Sequence, residues 1–533
     1  MLQRVLSIIL GGWEWEPAPG WKRHLLFIAP AAVLLAAVVY VGAVRTHACG
    51  HDIMQLLDGA WRVLNGQRPH VDFYSPLGPL LYLVTAAGLA LAGLRAEGVG
   101  YGVALFGAAV GIWGYRLSLA RMRLAPAAAT GVFLVLLSVA PVPLGAGPAT
   151  LSHAMLYNRF GFALLSLVLL EVLEEPKQRA GLPGGVSTGA AVGLLLFLKA
   201  SYFLVAVTVT LAFYLLGRRP RRGWAGLGAG FGAVVVAALG YLRFQPGAFL
   251  ADQLMAAGAR GETQIWYKAM QVAYRSIDDL LLLLLVAMLV TAWGRASGLA
   301  QWKWPLAALA VFGSGILLMS TNAQDAGLPL SVVLCLLMAG SVHHSEAASA
   351  TRAACALAAC LLLAASASLD AVSLAQAVRE KHAPPPGAGR FLPPRMSGLL
   401  LYDLGGPSYD LAYSNGARYA DYINSGLRLL QAESQASESV ALLEQSNPFS
   451  YALLREPGRG GFTFLAYGST FTRRDKPSVQ RLFGGADLVM VPKRNFTERY
   501  QYDAILETYL PGIQSMFTLA AETPQWWLYR RKR

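Results

Sequence analysis

The chain has 533 residues, of which 55% are hydrophobic and only 14% are charged. Soluble globular proteins carry about 25% charged residues, so this composition argues against a water-soluble enzyme, a coiled coil or a disordered chain. The net charge of +14 does not indicate a nucleic-acid partner, because the basic residues lie in loops between apolar runs, where they orient a protein in a membrane. Four cysteines are too few for a disulfide framework.

Apolar runs long enough to cross a bilayer recur through residues 1–375. About 20 residues of helix span about 30 Å of hydrocarbon. One further run, 76–95, is interrupted by Pro76, Pro79 and several glycines, and we expect it to lie on the outer face or to dip into it. The remaining runs predict eleven transmembrane helices, at 24–46, 99–120, 124–142, 154–173, 186–200, 201–217, 223–242, 277–294, 304–320, 326–342 and 351–374.

Basic residues in the loops predict the direction of these helices. Arg23 precedes the first run, and basic clusters follow at 116–123 and 218–222. Loops rich in Lys and Arg stay in the cytoplasm. If 76–95 crossed the membrane, the cluster at 116–123 would fall outside. If it does not cross and 186–217 crosses twice, all three clusters fall inside. We therefore expect a cytoplasmic N-terminus. The expected outer segments are 47–98, 243–276 and the C-terminal region.

The region after the last apolar run has a soluble composition. A proline-rich linker is predicted at 376–396, and an α/β domain of ordinary size is predicted at 397–533. The predicted helices of this domain are 416–434, 476–484 and 498–517, and its predicted strands are 439–443, 487–491 and 526–530. The predicted fold class is a mostly α polytopic membrane protein with a small C-terminal periplasmic α/β domain.

The first outer loop concentrates ionisable side chains beside the membrane. Its stretch 53–64 is amphipathic, so we expect it to lie flat on the membrane. Asp52 stands directly before that stretch and has two open interpretations. It is a helix N-cap, which is common, or a functional carboxylate, because ionisable groups near hydrocarbon are costly and tend to serve a function. The ionisable residues of the loop are His51, Asp52, Asp58, Arg68, His70 and Asp72.

The same loop contains a phrase that resembles a known family. It reads Gly66-Gln-Arg-Pro69-His70-Val-Asp72-Phe73-Tyr74-Ser-Pro76-Leu-Gly-Pro79. This phrase, preceded by an acidic residue and an amphipathic helix, resembles the first periplasmic loop of the GT-C superfamily of membrane glycosyltransferases. The most similar branch contains the lipid A aminoarabinose transferases and the protein O-mannosyltransferases. The close match covers 47–82, and beyond it only the architecture agrees. Ile53 and His70 depart from the family pattern, and a lysine common before the last prolines is absent.

The resemblance implies that a sugar moves from a polyprenyl-phosphate donor to a lipid, glycan or protein acceptor of the cell envelope. The reaction would take place at the periplasmic face of a bacterial inner membrane, among membrane lipids and without nucleic acid. Asp52 is the candidate general base that takes a proton from the acceptor hydroxyl. Lys199 and Arg159, at the outer ends of apolar runs, are the candidate ligands of the donor phosphate. For Lys199 the alternative is snorkelling to the lipid headgroups.

Further polar residues are candidates for binding the acceptor or the sugar, or for structuring the loops. No cofactor is expected, with a divalent metal ion left as an open alternative. A non-catalytic scaffold or transport partner with the same fold is the alternative function. A transporter is disfavoured because the sequence lacks internal repeats. The further candidate residues are His51, Asp58, Arg68, His70, Asp72, Tyr74, Arg260, Glu262, Asn322 and Gln324.

Overall fold

Helices form most of the chain, as the apolar runs predict. The structure, a computed structural model, describes residues 20–47, 49–173, 181–259, 262–293, 302–321, 324, 327–343, 349–384, 387–402, 416–494 and 499–532. The helices up to residue 382 are α1 (Leu25–Val41), α2 (Gly50–Leu64), α3 (Pro79–Leu91), α4 (Gly98–Leu119), α5 (Leu124–Val139), α6 (Leu156–Leu173), α7 (Leu182–Leu196), α8 (Ala200–Leu216), α9 (Arg221–Tyr241), α10 (Pro246–Gly258), α11 (Glu262–Arg275), α12 (Ile277–Trp293), α13 (Lys303–Ser320), α14 (Pro329–His343) and α15 (Ser349–His382).

Each of the eleven predicted transmembrane runs overlaps one of these helices. Within the described residues, six helical stretches are long and apolar enough to cross a membrane. The others are shorter apolar helices that pack into the same bundle. The predicted mostly α polytopic fold is confirmed. The six long stretches are Trp21–Val41, Gly98–Leu119, Leu156–Leu173, Arg221–Tyr241, Lys303–Ser320 and Ser349–His382.

The three basic clusters lie at one end of the bundle. His24 Nδ1 is 2.8 Å from the hydroxyl of Tyr115, near the end of α4. Arg121 forms an ion pair with Glu171, near the end of α6. Arg219 Nη2 donates to the main-chain oxygen of Glu171 at 3.0 Å. Cations beside the last carbonyls of a helix are favoured by its dipole.

The first outer loop begins and ends at the opposite end of the bundle. Gly42 follows α1 and packs against Glu97, which precedes α4; a Cβ on Gly42 would lie only 2.7 Å from Glu97 Cβ. The run 76–95 forms the 13-residue helix α3, whose Gly88 contacts the backbone of Gly98 and Gly102. The C-terminal half of α3 therefore packs against the start of α4.

The amphipathic helix of that loop does not lie against lipid. Helix α2 is buried along most of its length, and its polar face is covered by the C-terminal region. Trp61 Nε1 donates to the main-chain oxygen of Arg455 at 2.8 Å. The expected position on the membrane surface is wrong, because the apolar side chains of α2, such as Ile53, Leu57 and Ala60, are buried in the protein core.

The C-terminal region forms a small sheet flanked by helices. The sheet order is β3-β4-β6-β5, with β3 and β4 parallel and the other pairs antiparallel. Strand β5 was not predicted; only its first residue, Phe517, fell within a predicted helix, and pairing with β6 makes the segment a strand. The strands are β1 (Gly389–Arg390), β2 (Leu400–Leu401), β3 (Val440–Leu442), β4 (Leu488–Pro492), β5 (Phe517–Glu522) and β6 (Trp526–Arg531). The helices are α16 (Gly416–Glu433), α17 (Phe449–Leu453), α18 (Val479–Phe483) and α19 (Arg499–Met516).

The boundary between the two parts differs from the predicted one. Helix α15 runs to His382, so the segment expected to begin the linker at 376 is helical. Ala377 packs there with Val41 and Val44 in a small apolar cluster. The core of the C-terminal sheet region also includes Tyr74 from the first outer loop. The two parts therefore share apolar contacts.

Candidate functional site

Asp52 lies in the first turn of α2, at the end of the bundle opposite the basic clusters. Its Oδ2 accepts the Met155 backbone N–H at 3.2 Å, and its Oδ1 is 3.1 Å from His51 Nε2. The side chain is 13% exposed. The N-cap position belongs to Cys49, with no side-chain cap, so the N-cap interpretation of Asp52 is wrong. A carboxylate in a first helical turn is stabilised by the helix dipole.

Two residues around Asp52 have strained backbones. Cys49 has φ 56° and Met155 has φ 53°, which is the left-handed region that non-glycine residues rarely occupy. Cys49 precedes α2, and Met155, which donates to Asp52, precedes α6. Such strain tends to persist at functional sites, where the surrounding structure holds it. The hydrogen bond from the Met155 N–H to Asp52 joins the start of α6 to the start of α2.

Lys199 approaches the same start of α6 from another side. It lies at the junction of α7 and α8, and its Nζ is 4.3 Å from the centroid of the Tyr157 ring. Tyr157 is two residues beyond Met155, the residue that donates to Asp52. The structure therefore brings the candidate base and the first candidate phosphate ligand to one turn of chain, residues 155–159.

The family-like phrase anchors the junction that carries Lys199. Gly78 N–H donates to the Leu198 oxygen and Leu80 N–H to the Phe197 oxygen, both at 3.0 Å. These donors satisfy carbonyls left over at the end of α7. A Cβ on Gly78 would lie 2.1 Å from the Phe197 oxygen, so only glycine permits this approach.

Two buried amides around the same turn have unsatisfied polar atoms. Gln324 Nε2 is 3.6 Å from Met155 Sδ, and Asn158 Oδ1 accepts the Tyr202 hydroxyl at 3.1 Å. Across the described ranges, neither Gln324 Oε1 nor Asn158 Nδ2 has a hydrogen-bond partner. A buried polar atom left unpaired costs about 1–3 kcal/mol. One of the two unsatisfied atoms is an acceptor and the other is a donor.

Arg159, the second candidate phosphate ligand, is already engaged. Its Nη2 and Nη1 contact the two carboxylate oxygens of Asp370 at 2.8 and 3.1 Å, and the pair is buried. It also donates to the main-chain oxygens of Val142 and Leu137. A phosphate would have to displace Asp370 from this fork, so Lys199 is the stronger candidate. Asp370 was missed, although a lone carboxylate inside an apolar run is itself a signal.

His70 belongs to a buried ion cluster rather than to the turn at 155–159. Its Nδ1 is 3.0 Å from Asp252 Oδ2, and Arg481 Nη1 is 2.8 Å from Asp252 Oδ1. We call His70, Asp252 and Arg481 the three-segment clamp, because they come from the first outer loop, α10 and α18. Tyr74 lies nearby, with its hydroxyl donating to the Thr470 oxygen, and burial raises the pKa of that hydroxyl. Sequence reasoning missed Asp252 and Arg481.

Asp58 holds α2 to the C-terminal region. It is fully buried and accepts Arg62 Nε at 3.0 Å. Burial raises the pKa of Asp58, against the opposite effect of the Arg62 charge. Arg62 in turn donates to the main-chain oxygen of Gly460 at 2.8 Å. These contacts support the loop-structuring alternative for Asp58.

Asp72 and Arg68 stabilise their own loop. Asp72 Oδ2 accepts the Arg68 backbone N–H at 2.9 Å, and Asp72 Oδ1 is 3.6 Å from Arg243 Nη1. The Arg68 guanidinium lies 5.6 Å from the centroid of the Tyr241 ring, at the end of α9. Both residues therefore connect the loop to the start of the second outer segment.

Three remaining candidates lie outside what the structure describes. They are Arg260, Asn322 and the side chain of Glu262, and their roles stay predictions.

Two residues of the C-terminal region, Ser446 and Phe464, contact the neighbour of Asp52, and sequence reasoning did not predict them. Ser446 Oγ donates to the His51 main-chain oxygen at 2.9 Å. The ring of Phe464 stacks on His51 with centroids 5.9 Å apart. His51, the immediate neighbour of Asp52, is thus held by the C-terminal region.

Comparisons with known proteins give only distant structural similarity. No protein-family model matches the sequence, and a search of curated proteins gives no match. The apo structure of ArnT from Cupriavidus metallidurans is similar with a TM-score of 0.37 and 14% identity, over 94% of this chain and 97% of that one. The structure of the same protein bound to undecaprenyl phosphate gives a TM-score of 0.39 and 14% identity, over 96% and 98%. At these values the function has to be inferred from the chain's own residues.

Proposed function

We propose that this protein is a membrane glycosyltransferase that takes a sugar from a polyprenyl-phosphate donor and transfers it to an acceptor of the cell envelope, with Asp52 as the general base. The observation that carries the proposal is the convergence on residues 155–159. A partly exposed carboxylate, the Lys199 ammonium and the two unsatisfied amides of Asn158 and Gln324 all contact that turn or belong to it.

The reaction needs a base on one side of the anomeric carbon and a cation on the opposite side. The acceptor hydroxyl attacks that carbon while its proton passes to Asp52. The bond between the anomeric carbon and the phosphate oxygen breaks, and the leaving lipid phosphate gains negative charge. Lys199 stabilises that charge. We assign Asn158 Nδ2 and Gln324 Oε1 to sugar hydroxyls, because such hydrogen bonds would satisfy both buried atoms.

The environment of Asp52 suits a base that works at a membrane face. Two contacts orient the carboxylate, from the Met155 N–H and from His51, while its partial exposure leaves it open to water and to an acceptor. The start of α2 adds a favourable interaction between the carboxylate and the helix dipole.

The orientation in the membrane is part of the proposal. The end of the bundle that carries the basic clusters is assigned to the cytoplasm, in a bacterial inner membrane. Asp52, Lys199 and the C-terminal region at 397–533 then lie on the periplasmic side. Residues 1–375 form the transmembrane domain in this assignment.

Asp52→Asn is the decisive variant. The test uses the full chain in proteoliposomes, a set of polyprenyl-phosphate sugars as donors, an envelope lipid extract as acceptor, and release of polyprenyl phosphate as the readout. We expect turnover to fall about 10²- to 10⁴-fold with insertion and thermal stability unchanged, because Asn keeps the volume of Asp.

Asp72→Asn is the matched control, since Asp72 is an acid of the same loop that structures the backbone. It should change the apparent KM for the acceptor more than kcat. Near-wild-type turnover by Asp52→Asn would remove the catalytic assignment and favour the non-catalytic scaffold.

A further inference from the structure

We infer that α11 is a membrane-surface helix whose aromatic face is inserted among the lipids of the outer leaflet. This helix belongs to the second outer segment, between α10 and α12. Its contact with lipid does not depend on the proposed activity, whereas the assignment to the outer leaflet rests on the orientation given under the proposed function.

The exposed face of α11 is made of large apolar side chains. Trp266, Met270 and Tyr274 follow one another every four residues and are 72%, 65% and 83% exposed, and Tyr267 beside them is 61% exposed. Residues four apart share one face of a helix. Contiguous apolar surface of this kind marks an interaction site.

The opposite face of α11 is packed against the bundle. Val272 is buried in the main apolar core, and α11 contacts α13, one of the helices long and apolar enough to span a membrane. Since one face of α11 rests on a candidate transmembrane helix, the exposed face points sideways, away from the bundle. The material at the side of a transmembrane bundle is lipid.

The neighbouring helix sets the level of α11 in the bilayer. Only Ser276 separates α11 from α12, whose exposed side chains form an apolar stripe that begins in its first turn. That stripe consists of Ile277, Leu281, Leu285 and Met288. Because a lipid-facing stripe starts one residue after α11 ends, α11 lies at the boundary between hydrocarbon and headgroups. Trp and Tyr are enriched at that boundary, and a helix with one apolar face lies in its plane.

The test places a fluorescent label on this face in the intact protein. Met270→Cys and Tyr274→Cys are labelled with bimane after Cys49 and Cys360, the two cysteines that are not fully buried, have been replaced by Ser. Single copies in nanodiscs are exposed to lipid carrying a nitroxide at acyl carbon 5, and separately to iodide in water. Two further labelled variants serve as references, Leu285→Cys on the lipid-facing stripe and Arg428→Cys on the exposed side of α16.

We expect the labels at 270 and 274 to be quenched by the nitroxide lipid at least half as strongly as the label at 285. Iodide should quench them several-fold less than the label at 428. Strong iodide quenching without nitroxide quenching would overturn the inference, because the face would then be in water. Protection from both quenchers would overturn it as well, since protein would then cover the face.

Discussion

Removing the central carboxylate of the three-segment clamp should loosen the contact between the C-terminal region and the membrane bundle. Asp252 is fully buried, and its two oxygens hold His70 at 3.0 Å and Arg481 at 2.8 Å. Breaking a buried ion pair by deleting one partner costs about 3–5 kcal/mol, because the other charge is left uncompensated. Arg481 is 32% exposed and is partly hydrated in the variant, so we expect the lower end, about 3 kcal/mol.

That cost predicts a measurable opening at the contact. With about 1.4 kcal/mol for each factor of ten, Asp252→Ala should raise the population of the opened contact about 10²-fold. Hydrogen exchange of the full chain in nanodiscs, followed by mass spectrometry, reads this population. Peptides from 67–76 and 457–464 should exchange faster, because their backbone hydrogen bonds join the loop to the C-terminal region.

An exposed ion pair in the same region provides the control. Arg473 and Glu507 form a pair with both side chains more than half exposed, and such pairs are worth about 0–1 kcal/mol. Glu507→Gln should therefore change exchange at 67–76 less than about fivefold. If Asp252→Ala behaves like Glu507→Gln, the clamp contributes nothing to docking and the reasoning fails.

Four further outcomes are expected. Lys199→Met should weaken binding of polyprenyl phosphate, measured with undecaprenyl phosphate as the probe, by roughly 10- to 150-fold, the loss of one charge-assisted contact; unchanged binding would assign Lys199 to snorkelling. Gly78→Ala should lower turnover with the fold retained, because its Cβ would lie 2.1 Å from a carbonyl oxygen of the α7–α8 junction, and an equally active variant would contradict that geometry. Burial lowers the pKa of His153 to about 4. As the pH drops, this histidine is therefore protonated in the unfolded chain before it is protonated in the folded protein, and the free energy of unfolding should fall by about 2–3 kcal/mol between about pH 6.5 and 4. A His153→Gln variant melted in detergent across this range should lose that part of the pH dependence. Alkaline phosphatase fused after residue 400 should be active and a fusion at 220 inactive, and the reverse pattern would overturn the orientation.

Local sequence properties were enough to predict the apolar helices and to select the first outer loop as the candidate site. A transmembrane run is recognised by its length and its apolar composition, and both are properties of a contiguous segment. The basic clusters at 116–123 and 218–222 are also contiguous segments, and they predicted that the loops carrying them lie at the same end of the helical bundle. The contacts of Arg121 and Arg219 with Glu171 confirm this. Helix α2 was expected over 53–64 from its periodicity and begins three residues earlier, at Gly50.

Tertiary structure alone decided which charged groups neutralise one another. Arg159 and Asp370 are 211 residues apart, and His70 and Asp252 are 182 residues apart. A single charged residue in a sequence indicates that a partner is needed, because an unpaired buried charge is too costly, but it carries no information about which residue that partner is. For this reason Arg159 was expected to bind a phosphate, whereas its fork is occupied by Asp370.

The same reasoning separates the two amphipathic helices. Both α2 and α11 have one apolar face, and periodicity cannot tell whether the remaining surface meets lipid, water or protein. The C-terminal region covers α2 and places Ser446 and Phe464 on His51, whereas the aromatic face of α11 stays uncovered within the described structure. The composition of a helix determines that its apolar face must be buried. The packing of distant segments decides whether protein or lipid covers that face.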